Sequence, residues 1–126
     1  MAEDTVRVTE ARHGSTVVLN VVGRVDHNSA NTFQAAVAPV LARCAAGGDA
    51  LVIDLAGMDY ISSAGLRVFM IMSRECKARQ GRIVLAAMQP LVREIFDISK
   101  FTLLFEIHAS VDAALAALRA AGETGA

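Results

Sequence analysis

The sequence predicts a single α/β domain of order ββαβαβαβα, with a mostly parallel sheet of about five strands and four helices. Three observations carry this expectation. The runs "ALVIDLAGM" (50–58) and "RIVLAAM" (82–88) are apolar nearly throughout, the pattern of strands covered on both faces. Segments with helical apolar spacing separate these runs, and such alternation implies parallel strands joined by right-handed crossovers. A chain of 126 residues that is 54% hydrophobic is long enough for one real core and too short for two.

Each element has its own local reason. "TVRVTEA" and "STVVLNVVG" are β-branched runs that meet at His13-Gly14, which predicts a hairpin. Gly23 is expected to end the second strand, and "RVDHNS" to follow as a loop. Asn28 or Ser29 then caps a helix by accepting from its free first-turn N–H groups. Phe33, Val37, Val40, Leu41 and Cys44 make one apolar stripe on that helix. Pro39 lies within the stripe and predicts a kink or break, and Gly47-Gly48 supply the stop. After the 50–58 strand, a helix is expected from about Ala64 to Gln80, ending at Gly81. Pro90 opens a third helix through about Ile98, since proline at the first helical position forfeits no needed N–H. "TLLFEI" reads as a short strand. Ser110 caps a last helix with Val111, Leu115 and Leu118 on one side, and the tail at 121–126 is expected to fray.

Composition excludes several function classes. A formal net charge of -1 and the absence of tryptophan argue against nucleic-acid binding. No apolar run approaches the roughly 18 to 20 residues of a membrane span, and "MAEDTVRVTEARHG" is too charged for a signal peptide. The chain therefore reads as cytoplasmic. Cys44 and Cys76, without CxxC or Cys/His spacing, read as two buried reduced thiols rather than a disulfide or metal pair. His13, His27 and His108 are scattered, no GxSxG elbow is present, and neither phosphate-loop nor dinucleotide glycine patterns occur. These absences point away from an enzyme and toward a protein without cofactor or metal.

The informative stretch is "DYISSAGLR" (59–67), at the carboxyl end of a predicted buried strand, where ligands gather in parallel sheets. Ser62 or Ser63 at a helix N-cap contributes about 1 kcal/mol, which alone explains a serine there. On the following helix Gly65, Phe69, Met72 and Cys76 make a core stripe flanked by Leu66 and Val68. Ser63, Arg67, Met70 and Arg74 make a second stripe, either a solvated face or a protein-binding surface. Gly65, lacking a side chain, would let a partner's backbone approach the turn.

With "GRVDHNSA", "LVIDLAGMDYISSAGLRVF", "RIVLAAMQPLVREIFDIS" and "FEIHASVDAAL", the chain resembles the STAS domain over nearly its whole length. It is most similar to the stand-alone bacterial anti-sigma-factor antagonists. In that family the turn usually reads Asp-Ser-[Ser/Thr/Ala]-Gly-Leu, and the serine after the aspartate is phosphorylated by an anti-sigma factor that is also a serine kinase. The resemblance places Ser63 at the acceptor, with Ala64-Gly65-Leu66 after it. Ser62 stands where the aspartate is usual and is the alternative acceptor, and Lys100 stands where glycine is common. The resemblance further implies a docking surface of Asp26, His27, the turn at Ser62, Ala64 and Gly65, and the helix face of Arg67, Met70 and Arg74. The implied partners are an anti-sigma factor with a serine-kinase (ATPase) domain and a PP2C-type phosphatase, with neither nucleic acid nor membrane involved. The protein itself would be a monomer or weak dimer.

Physical chemistry permits such a switch. Phosphoserine adds nearly two negative charges, which a helix N-terminus stabilises by roughly 0.3 to 2 kcal/mol. The fold would survive, while a charge left unpaired in an interface costs several kcal/mol of affinity. Two other readings remain open from the sequence: a scaffold or regulatory subunit in a stress-sensing complex or beside a membrane transporter, and a small-molecule or nucleotide sensor.

Overall fold

A computed structural model of the chain describes residues 6–125, with side chains for 6–120. In chain order the elements are β1 (Val6–His13), β2 (Thr16–Val25), α1 (Ala30–Leu41), β3 (Ala50–Ile61), α2 (Ser63–Ala78), β4 (Ile83–Ala86), α3 (Pro90–Ile98), β5 (Glu106–His108) and α4 (Val111–Gly125). A 3-10 turn over Phe101–Leu103 precedes β5. The strands lie in one sheet in sequence order. β1 runs antiparallel to β2, and the other pairs are parallel. This is the expected ββαβαβαβα order. None of the described helices is long and apolar enough to cross a membrane.

Three helices cover one face of the sheet and one helix covers the other. Phe33 and Val37 of α1, Phe69 and Met72 of α2, and Val92 and Phe96 of α3 pack with Leu19, Leu51, Ile53, Leu55 and Leu85. On the far side Ala114 and Leu118 of α4 meet Val18, Val52, Val84 and Ala86. Successive strand residues point to opposite faces, so a strand buried on both must be apolar at every position. Phe69 sits at the centre of the larger core, its ring 5.4 Å from those of Phe33 and Phe96 and 6.0 Å from that of Phe105.

Several boundaries differ from the sequence expectation, each for a local reason. β2 continues past Gly23 to Val25 because a register shift there lets pairing resume at Arg24↔Tyr60 and Val25↔Ile61. α1 ends at Leu41, well before Gly47-Gly48. Pro39 lies inside its last turn, and beyond it the N–H groups of Arg43 and Cys44 bond only three residues back, to Val40 and Leu41. Cys44 thus leaves the helix but stays buried. α2 is one residue longer at its start than expected and stops at Ala78. Most of "TLLFEI" is not strand. Lys100, with φ 65°, ends α3 in a left-handed conformation, and the 3-10 turn takes the next three residues. α4 is helical to Gly125, within the segment expected to fray; residue 126 lies outside the described residues.

The helix caps are also redistributed. Ser110 behaves as expected, its hydroxyl accepting the Ala113 N–H at 3.0 Å. Neither Ser29 nor Ser62 makes a side-chain cap bond, though each occupies an N-cap position. Asp26 organises the start of α1 instead. Its carboxylate accepts the N–H groups of Asn28 and Ser29, and its carbonyl accepts those of Ser29 and Ala30. The Ser29 hydroxyl accepts the Asp26 N–H and donates to the Arg24 carbonyl, closing the loop on itself.

Two predictions follow from this packing. Gly65 is buried, and a β-carbon there would lie 2.7 Å from Ile61 Cγ1 and 2.8 Å from Val25 Cγ1. Gly65→Ala is expected to lose about 1–2 kcal/mol of stability by overpacking, even after alanine's better helix propensity; urea unfolding will show it. For Asp26, partial burial works to raise the carboxyl pKa, but the Asn28 and Ser29 N–H groups, the Ser29 hydroxyl and Arg24 together hold it below the usual value. A lowered folded-state pKa contributes stability above the unfolded value of about 4, lost as pH falls through the folded value. Asp26→Asn should therefore melt below wild type at pH 7, and the two midpoints should converge as pH falls through the folded-state value. Parallel melting curves down to that pH would refute the capping role.

Candidate functional site

β3 delivers the serine turn. At Ile61 the strand ends beside Val25 of β2, and the Ser62 N–H donates to the Val25 carbonyl at 2.9 Å. Ser62 is extended, with φ -100° and ψ 178°, and its carbonyl accepts the Leu66 N–H to begin α2. Extended backbone sends consecutive side chains in opposite directions. Accordingly the Ser62 hydroxyl is buried with no hydrogen-bond partner, whereas Ser63 is exposed.

Ser63 lies on a groove of about 500 Å³ between the starts of α1 and α2. His27, Asn31 and Gln34 form one wall; Ser63, Ala64 and Arg67 form the other, with Ile71 at the far end. Among the described residues no carboxylate lines the groove. Among the described residues, no acceptor takes the N–H groups of Ser63, Ala64 or Gly65, and Arg67 forms no ion pair. The first-turn N–H groups, the positive end of the helix dipole and the Arg67 guanidinium therefore border the same groove as the Ser63 hydroxyl. Such a combination stabilises an anion. His27 shares the groove, but no group among the described residues hydrogen-bonds its ring. A nucleophile–base pair uses such an orienting partner, and the described residues supply none.

The residues expected to share a docking surface are only partly together. His27, Ser63, Ala64 and Arg67 meet in this groove. Met70 and Arg74 line a separate one of about 170 Å³, with Ser73, Lys77 and Leu104. Met70 is half-buried and Arg74 exposed and without an ion pair among the described residues. The stripe Ser63, Arg67, Met70 and Arg74 is real as a helix face, yet α2 crosses the surface so that its two halves border different neighbours. Asp26 is half-buried, its carboxylate committed to the α1 cap and to Arg24 at 3.1 Å, and it does not line the groove. Gly65 corrects an expectation outright. It is buried, and its missing side chain makes room for Val25 and Ile61 inside the core rather than for a partner's backbone. Asn31 and Gln34 were not singled out from the sequence; their only signal was their place on the polar side of α1.

Comparison with known proteins agrees with this architecture. Residues 7–114 match the family model described as the STAS domain. A Bordetella bronchiseptica protein, BtrV, named as a candidate anti-sigma factor antagonist, is 43% identical over 94 residues, 75% of this chain and 80% of its own length. The anti-sigma-F factor antagonist RsfB of Mycobacterium tuberculosis is 32% identical over 74 residues, 59% of this chain and 58% of its own. Among solved structures, an anti-sigma factor antagonist from Mycobacterium paratuberculosis superposes with a TM-score of 0.81 at 24% identity, covering 94% of this chain and 97% of the other. With a family match running from within β1 to the start of the last helix, the chain belongs to the STAS domain family.

Proposed function

We propose that this protein is an anti-sigma-factor antagonist switched by phosphorylation of Ser63. Unmodified, it binds an anti-sigma factor with a serine-kinase domain and so releases the sigma factor. Phosphorylated, it no longer binds, and a PP2C-type phosphatase restores it. It works in the cytoplasm as substrate and binding partner rather than as catalyst.

The observation that carries this reading is the exposed Ser63 hydroxyl at the open N-terminus of α2, beside an unpaired Arg67. A phosphate on that oxygen meets free N–H groups and a cation, so the fold tolerates it. The same phosphate occupies the groove and reverses its charge, which an interface matched to the unmodified groove does not tolerate. Burial of the Ser62 hydroxyl favours Ser63 over Ser62 as acceptor, because a kinase must reach the oxygen it modifies. The names borne by BtrV and RsfB support the partner class.

With the cognate kinase and labelled ATP, wild type and Ser62→Ala should incorporate phosphate, and Ser63→Ala should incorporate none while still binding the anti-sigma factor. Ser63→Asp should bind at least about 10-fold more weakly, corresponding to about 1.4 kcal/mol. Stoichiometric labelling of Ser63→Ala would overturn the site assignment. Failure of unmodified wild type to bind any anti-sigma factor encoded in the same cell would overturn the function.

A further inference from the structure

Cys44 and Cys76 lie 32 residues apart in sequence, yet their Sγ atoms are 3.2 Å apart, both buried. Cys44 follows α1 and Cys76 sits in the last turns of α2. The surrounding backbone holds them there. The N–H of Ala46 donates to the Arg79 carbonyl, that of Gly81 to the Cys76 carbonyl, and the Arg79 guanidinium reaches the Leu41 carbonyl at 3.4 Å. A β-carbon on Gly81 would lie 2.5 Å from the Cys44 carbonyl oxygen, so the turn after α2 is pressed directly onto the Cys44 backbone. Cys44 Sγ also donates to the Arg82 carbonyl at 3.3 Å. With its one proton so used, the contact between the sulfurs has Cys76 as donor and Cys44 as acceptor.

From this geometry we propose that Cys44 and Cys76 form a reversible disulfide site, oxidised by a hydroperoxide. Closing 3.2 Å to the roughly 2.05 Å of an S–S bond asks the two sulfurs to approach by a little over 1 Å. Cys44 is the first nucleophile. The hydrogen bond from Cys76 holds its thiol below the usual range, against the opposing effect of burial, and the Arg79 charge adds to the lowering. The same hydrogen bond, with burial, raises Cys76.

Cys44 releases the proton it donates to the Arg82 carbonyl, its thiolate attacks one peroxide oxygen, and the O–O bond breaks. The departing hydroxide takes a proton and leaves as water, and Cys44 becomes a sulfenic acid. Cys76 then gives up its proton and attacks the Cys44 sulfur, expelling the hydroxyl group, which leaves as a second water. In sum two thiols and one hydroperoxide give one disulfide and two waters (for hydrogen peroxide), the two sulfurs supplying both electrons. The bond would tie the segment after α1 to the last turn of α2, at the end opposite Ser63. This inference does not depend on the function proposed for that groove.

The test uses the reduced full chain treated with hydrogen peroxide, then denatured under non-reducing conditions. Expected are a monomer with a mass loss of about 2 Da, no titratable thiol, a Cys44–Cys76 crosslinked peptide, and full reversal by dithiothreitol. The oxidised form should melt about 5–10 °C higher, because the crosslink closes a loop of roughly 30 residues. In Cys76→Ser, peroxide should leave a dimedone-reactive sulfenic acid at Cys44. Because the wild type alone supplies the decisive measurement, a poorly folding variant does not spoil it. Thiols that persist, intermolecular dimers, or sulfinic products in place of the crosslink would each overturn the proposal.

Discussion

The burial of β3 on both faces is the constraint from which the rest of the molecule follows. Leu51, Ile53 and Leu55 face three helices while Val52 faces α4, so β3 can only be an interior strand, paired in parallel on either side. Parallel pairing brings the carboxyl ends of β2 and β3 to one edge, with Val25 opposite Ile61. The segments leaving those ends are the starts of α1 and α2. His27 and Ser63, 36 positions apart in the numbering, therefore share a groove because of sheet topology and not because of any local motif.

The two ends of the sheet are built differently. At the amino end of β3, Asp49 binds Arg12 at 2.9 Å and Arg43 at 3.4 Å, Arg43 reaches Glu10 at 2.8 Å, and the thiol pair lies below. The Arg12 hydrogen bond holds the Asp49 carboxyl below its usual range, despite some burial. Exposed ion pairs contribute little each, but here they occupy the local charges and pin the β1–β2 turn to the loop after α1. At the carboxyl end, Arg24 pairs with Asp26 at 3.1 Å, while Arg67 has no ion-pair partner among the described residues. Most of the long-range ion pairs thus gather at the amino end, while the groove that holds Ser63 keeps Arg67 unpaired among the described residues.

Adjacent serines illustrate how finely backbone conformation divides similar residues. Ser62 is extended and turns its hydroxyl inward, where it finds no partner; Ser63 is the first helical residue and turns outward. An unsatisfied buried hydroxyl carries a cost of about 1–3 kcal/mol. The main chain of the same residue is fully used, its N–H donating to the Val25 carbonyl and its carbonyl accepting the Leu66 N–H. Asp26 makes the complementary point, since a side chain resembling a docking residue is mostly occupied in starting a helix.

What the sequence determined by itself was whatever depends on neighbours along the chain. The alternation of apolar strands with helical stripes established the element order, Pro90 opened α3, Ser110 capped α4, and Phe69, Met72 and Cys76 formed the buried face of α2. Local chemistry also singled out the serine turn. Contacts between distant segments were decided only by the tertiary structure. Among these are the resumption of β2 pairing beyond Gly23, the inward use of Gly65, the capping role of Asp26, the division of the α2 face between two grooves, and the meeting of Cys44 with Cys76. Periodicity reports which side of an element is buried; it carries no information about which residue of another element lies against it, because that is set by how the helices seat on a common sheet.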